Sequence, residues 1–242
     1  MPKADQHRLT IVSGQSKDIQ RANNKPYANK PAMHRAEARE EAAIAEAGHP
    51  LDFLADIAHP ETDAYQSISN LLGQLPARAQ SKTIAMAGDS LMTAAAALAL
   101  AYHGNEKVCL LEIGYEDPSD APLQSLLGIT SPIGISDVFK DKAELDNLII
   151  NARMNRPHPN CYVLTHGNCK TDWAGYRSQF SSLVHALSKK FHRVIVSLPA
   201  LNRSTASLLI EAGIQYTLAE ESFINKKGID ALQQHGCPIG LL

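Results

Sequence analysis

The chain is 242 residues long, 44% hydrophobic and 20% charged, with a formal net charge of −2. That size and balance suit one soluble α/β-sized core with room for a tail, and they exclude a general nucleic-acid binder, which needs a strong positive field. No apolar run approaches the roughly 20 residues needed to cross a bilayer, and the N-terminus lacks the apolar core of a signal peptide, so the sequence is expected to be cytoplasmic.

Residues 1–35 are polar, and their seven basic against two acidic side chains give a local net charge of +5. With almost no large apolar residues they cannot bury enough surface to fold alone. Residues 1–50 are therefore expected to be a basic, disordered or partly helical extension, able to approach an anionic membrane surface or an acidic partner. Its last part, His34–Gly48, has helical composition with charge nearly all round. The folded domain is placed at 51–242. Leu51, Phe53, Leu54 and Ile57 recur at helical spacing as a docking segment. Glu61–Leu75 carries Tyr65, Ile68, Leu71, Leu72 and Leu75 on one helical face.

Thr83–Ala87 is a short apolar run, Gly88-Asp89-Ser90 a turn, and Met92–His103 an Ala/Leu-rich helix former. Strand, tight turn and helix in this order open a nucleotide-binding α/β unit. The phosphate chemistry is missing, however. A P-loop ends in Gly-Lys-Ser/Thr, whereas here those places hold Ser90, Leu91 and Met92, and Asp89 brings a negative charge. Lys107–Ile113 and Arg193–Leu198 read as fully apolar strands, as in a parallel sheet covered on both faces. Between and after them come helices over Ala143–Ala152, Tyr176–Phe191, Ala206–Gly213 and Ile229–His235, and short strands at Tyr162–Thr165, Gln215–Ala219 and Pro238–Leu242. The fold class is thus three-layer α/β: a mainly parallel twisted sheet with helices on both faces.

The four cysteines, Cys109, Cys161, Cys169 and Cys237, form no CxxC pair, and the ten histidines form no HExxH. No metal site is expected. Asp117 and Asp120 follow the second strand at its C-terminal end and are the one place for a new acid-based site.

The order of segments resembles the cytoplasmic domain of bacterial tyrosine kinases of exopolysaccharide and capsule systems, relatives of the ParA/MinD-type P-loop ATPases. Residues 60–242 carry the resemblance: PETDAYQSISNLL, GISDVF, YVLTHG, FHRVIVSLPAL and GIDALQQHGCPIGLL. The resemblance implies a P-loop NTPase-like fold and a nucleotide site built on three motifs, each of which departs from the family pattern. Leu91 and Met92 stand for the Walker A lysine and hydroxyl. In the second acidic motif only Glu112 keeps an acid, Gly114 replacing the next aspartate. Ser197 stands for the Walker B aspartate, although Pro199 remains. The helix that builds the family's rings reads Asp63, Tyr65, Gln66, Ser69 without its arginines, which implies a monomer or small dimer.

Phosphoryl transfer is almost wholly positioning and charge neutralisation, so loss at all three motifs implies no enzyme and no cofactor. What remains is a regulator or scaffold that binds cytoplasmic segments of an inner-membrane polysaccharide co-polymerase or a glycosyltransferase. The alternative is a ParA/MinD-type ATPase with an atypical site. Asp89 and Ser90 are expected to cap the free amides of the helix near Met92 and Thr93, in place of a phosphate.

Overall fold

The computed structural model describes residues 50–77, 79–114, 122–129 and 133–241. Nearly all of the basic extension, together with Asp117 and Asp120, lies outside them.

Helices α1 (Pro50–Asp56) and α2 (Asp63–Gln74) precede strand β1 (Thr83–Ala87) and helix α3 (Ser90–Tyr102). Then follow β2 (Val108–Glu112), α4 (Pro122–Leu126), α5 (Ile135–Phe139), α6 (Leu145–Met154) and β3 (Cys161–Leu164). The chain continues through α7 (Arg177–Lys190), β4 (Arg193–Leu198), α8 (Arg203–Glu211), β5 (Tyr216–Ala219), α9 (Lys226–Gln234) and β6 (Ile239–Leu241). Single 3-10 turns at Trp173–Tyr176 and Glu221–Phe223, absent from the sequence reading, complete the order.

The six strands lie in the order β3-β2-β4-β1-β5-β6 and all pair in parallel. Alternate strand residues enter opposite cores. Ile84, Met86, Val108, Leu110 and Ile195 pack under α1, α2 and α3, while Ala85, Cys109, Leu111, Val194 and Val196 pack under α6 to α9. Both faces being covered, the strands lose any polar alternation, which is why they read as continuous apolar runs. This is a three-layer α/β arrangement, a parallel sheet with helices on both faces.

The Ala-rich α3 is buried along nine consecutive residues, Thr93 to Ala101, so its small side chains let it lie close to the sheet between α2 and α4. Phe180, Leu183, Val184 and Leu187 of α7 turn inward as expected. Of the apolar residues read as a docking segment, Leu54 in α1 and Ile57 just beyond it are buried, Phe53 is half-buried and Leu51 is 46% exposed. At the N-terminal edge of the sheet, Arg193 makes a buried two-toothed pair with Glu106, Nε to Oε2 and Nη2 to Oε1 both at 2.9 Å. Its remaining donor serves the carbonyls of Pro76 and Ser81 at 2.9 and 3.0 Å. The strand motif RVIVSL thus begins with a charged strut that apolar counting did not reveal.

Candidate functional site

The register sets Met86, Ser197 and Glu112 side by side on β1, β4 and β2, so the turn after β1 and the ends of β4 and β2 gather at one edge of the sheet. Gly88, Asp89, Ser90, Leu91, Met92, Ser197, Pro199, Glu112 and Gly114 are therefore neighbours in space, at the carboxyl ends of parallel strands where α/β proteins place ligands.

In the turn, Asp89 is the N-cap of α3, and its Oδ1 accepts from the Leu91 amide at 2.8 Å. The cap thus reaches Leu91 rather than the expected Met92 or Thr93. Ser90 is the first helical residue and Asp89 alone supplies the cap. Thr93 completes the turn by donating both its amide and its hydroxyl to the Asp89 carbonyl. A second carboxylate arrives from a distant part of the chain. Glu220, just after β5, accepts from the Asp89 amide through Oε1 at 3.0 Å, while its own amide donates to the Ala87 carbonyl at 3.0 Å. Gly88 has φ 157, and a Cβ there would collide with the Glu220 carboxylate, so glycine leaves the room that this side chain occupies.

Two carboxylates thus stand on turn amides that a P-loop would offer to phosphate oxygens. Among the described residues neither has a Lys or Arg within ion-pair distance, so the turn is electrostatically hostile to a polyphosphate. Leu91 and Met92 are half-buried and packed against the core beneath α1 to α3. At the start of α3 they supply packing, not charge.

Glu112 is 1% exposed. Its Oε1 accepts from the Leu123 amide at 2.7 Å and its Oε2 from the His166 amide at 3.3 Å. Burial pushes its pKa up to about 7, against the lowering effect of the two amides. Through these two contacts Glu112 ties the start of α4 to the end of β3. Gly114 is explained by its neighbours: a Cβ there would lie 2.9 Å from the His166 ring, and its carbonyl accepts from Trp173 Nε1 at 3.0 Å. An aspartate has no space at that position. Ser197 is buried, and Pro199 is half-buried beyond the end of β4. No group of three His, Cys, Asp or Glu side chains among the described residues is arranged to hold a metal.

One polar centre was missed from the sequence. Asp137, buried in α5, accepts from the Gly134 and Asn168 amides at 2.9 and 3.0 Å through Oδ2, and its Oδ1 accepts from the Cys169 thiol at 3.2 Å. The Cys169 pKa is pushed up by burial and by that carboxylate, so the thiol is held protonated rather than nucleophilic. Gly134 and Gly167 meet backbone to backbone, where any Cβ would overlap the opposite chain. Here GISDVF and YVLTHG lock together. The only local signal was a glycine in each segment.

On α2, Tyr65 turns inward and meets the His103 ring edge-on at 4.5 Å. Asp63 and Gln66 are exposed and Ser69 is half-buried. Gln66 Nε2 donates to the Pro60 carbonyl at 2.9 Å, and the Ser69 hydroxyl to the Gln66 carbonyl at 2.6 Å.

With this geometry in view, comparison with solved structures finds, among others, two tyrosine kinase domains and one chimerical protein. The BceF tyrosine kinase domain is 15% identical, covering 85% of this chain and 88% of its own, with a TM-score of 0.60. The chimerical protein CapA2B2 is 14% identical over 78% of this chain and 89% of that one, TM-score 0.56. The kinase domain of the Escherichia coli tyrosine kinase ETK is 16% identical over 78% of both chains, TM-score 0.53. The chain has the fold of the bacterial tyrosine kinase domains. At such identities the likeness is one of fold. No protein-family model matches the sequence, and no curated protein matches it either.

Proposed function

We propose that this chain is a non-catalytic regulator or scaffold of bacterial exopolysaccharide or capsule biosynthesis, a tyrosine-kinase-like domain whose nucleotide turn is closed by its own side chains. The observation that carries the reading is the pair Asp89 and Glu220 on the amides of Leu91 and Asp89. Phosphoryl transfer requires cations around the transferred group. This turn presents two carboxylates and, where a lysine and a hydroxyl would act, Leu91 and Met92. Ser197 and Gly114, in the places of two metal-holding acids, leave Glu112 as the last carboxylate, and its oxygens are engaged by backbone amides.

The partner proposed is a cytoplasmic segment of an inner-membrane polysaccharide co-polymerase or glycosyltransferase, with attachment to the membrane through that partner. Support for this rests on the kinase-like fold and on the sequence resemblance. No helix among the described residues is long and apolar enough to cross a membrane.

Isothermal calorimetry with ATP and magnesium tests the reading. The expected result is no saturable heat at millimolar nucleotide. Magnesium-dependent binding at micromolar concentration would overturn it in favour of a nucleotide-switched ATPase.

A further inference from the structure

Away from the nucleotide turn, on the sheet face beneath α6 and α7, lies a cavity of about 590 Å³, within the ~300–1,000 Å³ range of small-molecule sites. Its floor is Cys109 and Tyr162, and its walls are apolar residues such as Leu148 and Leu187. Phe139 closes one end, and Lys107, Lys190 and Phe191 form the other. The α7 residues lining it run from Ser178 to Lys190, which makes it about 18 Å long at the helical rise.

Charge is distributed unevenly along this length. Lys107 Nζ sits 5.2 Å from the ring centres of both Tyr162 and Phe191. Lys190 closes the same end as the last residue of α7. Among the described residues, neither Lys107 nor Lys190 has a carboxylate within ion-pair distance. The carboxylate that lines the cavity, Asp141, follows Phe139 at the far end. Two lysines at one end of an apolar trough offer an anionic head a favourable charge that the other end lacks.

We propose that this trough binds a long-chain carboxylate, a fatty-acid anion, with its head at Lys107 and Lys190 and its chain along α7 toward Phe139. The two lysines at one end favour an anionic head, and the apolar length of the trough favours an alkyl chain behind it. One acyl chain reaches about 15 Å, half the ~30 Å hydrocarbon layer of a bilayer, and this fits the available length.

The test is calorimetric titration of the full chain with sodium dodecanoate below its micelle concentration. Dodecyltrimethylammonium serves as the cationic control and phosphatidylglycerol vesicles as the membrane control. Saturable one-to-one binding of dodecanoate is expected, at least tenfold tighter than the cationic amphiphile. The double variant Lys107→Gln with Lys190→Gln should weaken it tenfold or more. Ala186→Trp, which fills the trough from the exposed face of α7, should abolish it, with melting curves confirming that both variants are folded. Equal affinity for the two amphiphiles, binding to vesicles without binding to monomeric dodecanoate, or undiminished binding by the folded Ala186→Trp variant would each overturn the proposal.

Discussion

Replacing Glu112 by Gln probes the acid at the centre of the site, and it does so through pH. The Glu112 carboxyl has its pKa raised from 4.5 to about 7 in the folded chain, chiefly by burial. The folded state therefore holds a proton that the unfolded state releases, and stability must fall as pH rises across that interval. The contribution is fully present below pH 4.5 and is lost as pH passes 7. At 1.36 kcal/mol per pKa unit, the whole change is about 3 kcal/mol. Glutamine keeps an acceptor oxygen for one of the two amides and cannot ionise, so it stays neutral like the protonated acid at every pH. Urea denaturation of wild type and Glu112→Gln should be followed at intervals from pH 4.5 to 8. Wild-type stability minus variant stability should decline by a few kcal/mol over this range and level off at its alkaline end. A difference that stayed flat, or that grew with pH, would show that Glu112 is stabilised as a carboxylate and would refute the reasoning.

Asp89→Ala removes one exposed cap and should cost about 1 kcal/mol, lowering the melting temperature by about 2–4 °C in calorimetry, with Asp89→Asn largely restoring it. Adding Glu220→Ala frees the second amide but should still give no ATP binding by calorimetry, because no cation is created. Arg193→Met strands the buried Glu106 carboxylate and should destabilise by about 3–5 kcal/mol in urea titration, far more than any surface charge change. If Gln66 and Ser69 of α2 stand at the arginine positions of the ring-building helix, as the resemblance implies, light scattering should find a monomer or small dimer. A stable large ring broken by altering Asp63 would contradict this.

Much of the architecture is a local property of the sequence. Burial on both faces erases polar alternation, so the runs KVCLLEI and RVIVSL announce a covered parallel sheet before any contact is known. The Asp89 cap is equally local, since its acceptor and donor are two residues apart and the strand–turn–helix order places it. That Leu91 and Met92 bring neither an ammonium nor a hydroxyl to the start of α3 is a matter of residue identity alone. What the tertiary structure decided are pairings whose partners lie far apart in the chain. Glu220 meets the Asp89 amide across 131 positions, and Glu106 meets Arg193 across 87. Those distances are bridged only because the strand order sets β1 beside β5 and β2 beside β4. No periodicity encodes which strand will be whose neighbour, because that choice is made by how the helical layers close over both faces. The same holds for Gly114, whose missing side chain has a reason only once His166 and Trp173 have been brought against it by the end of β3.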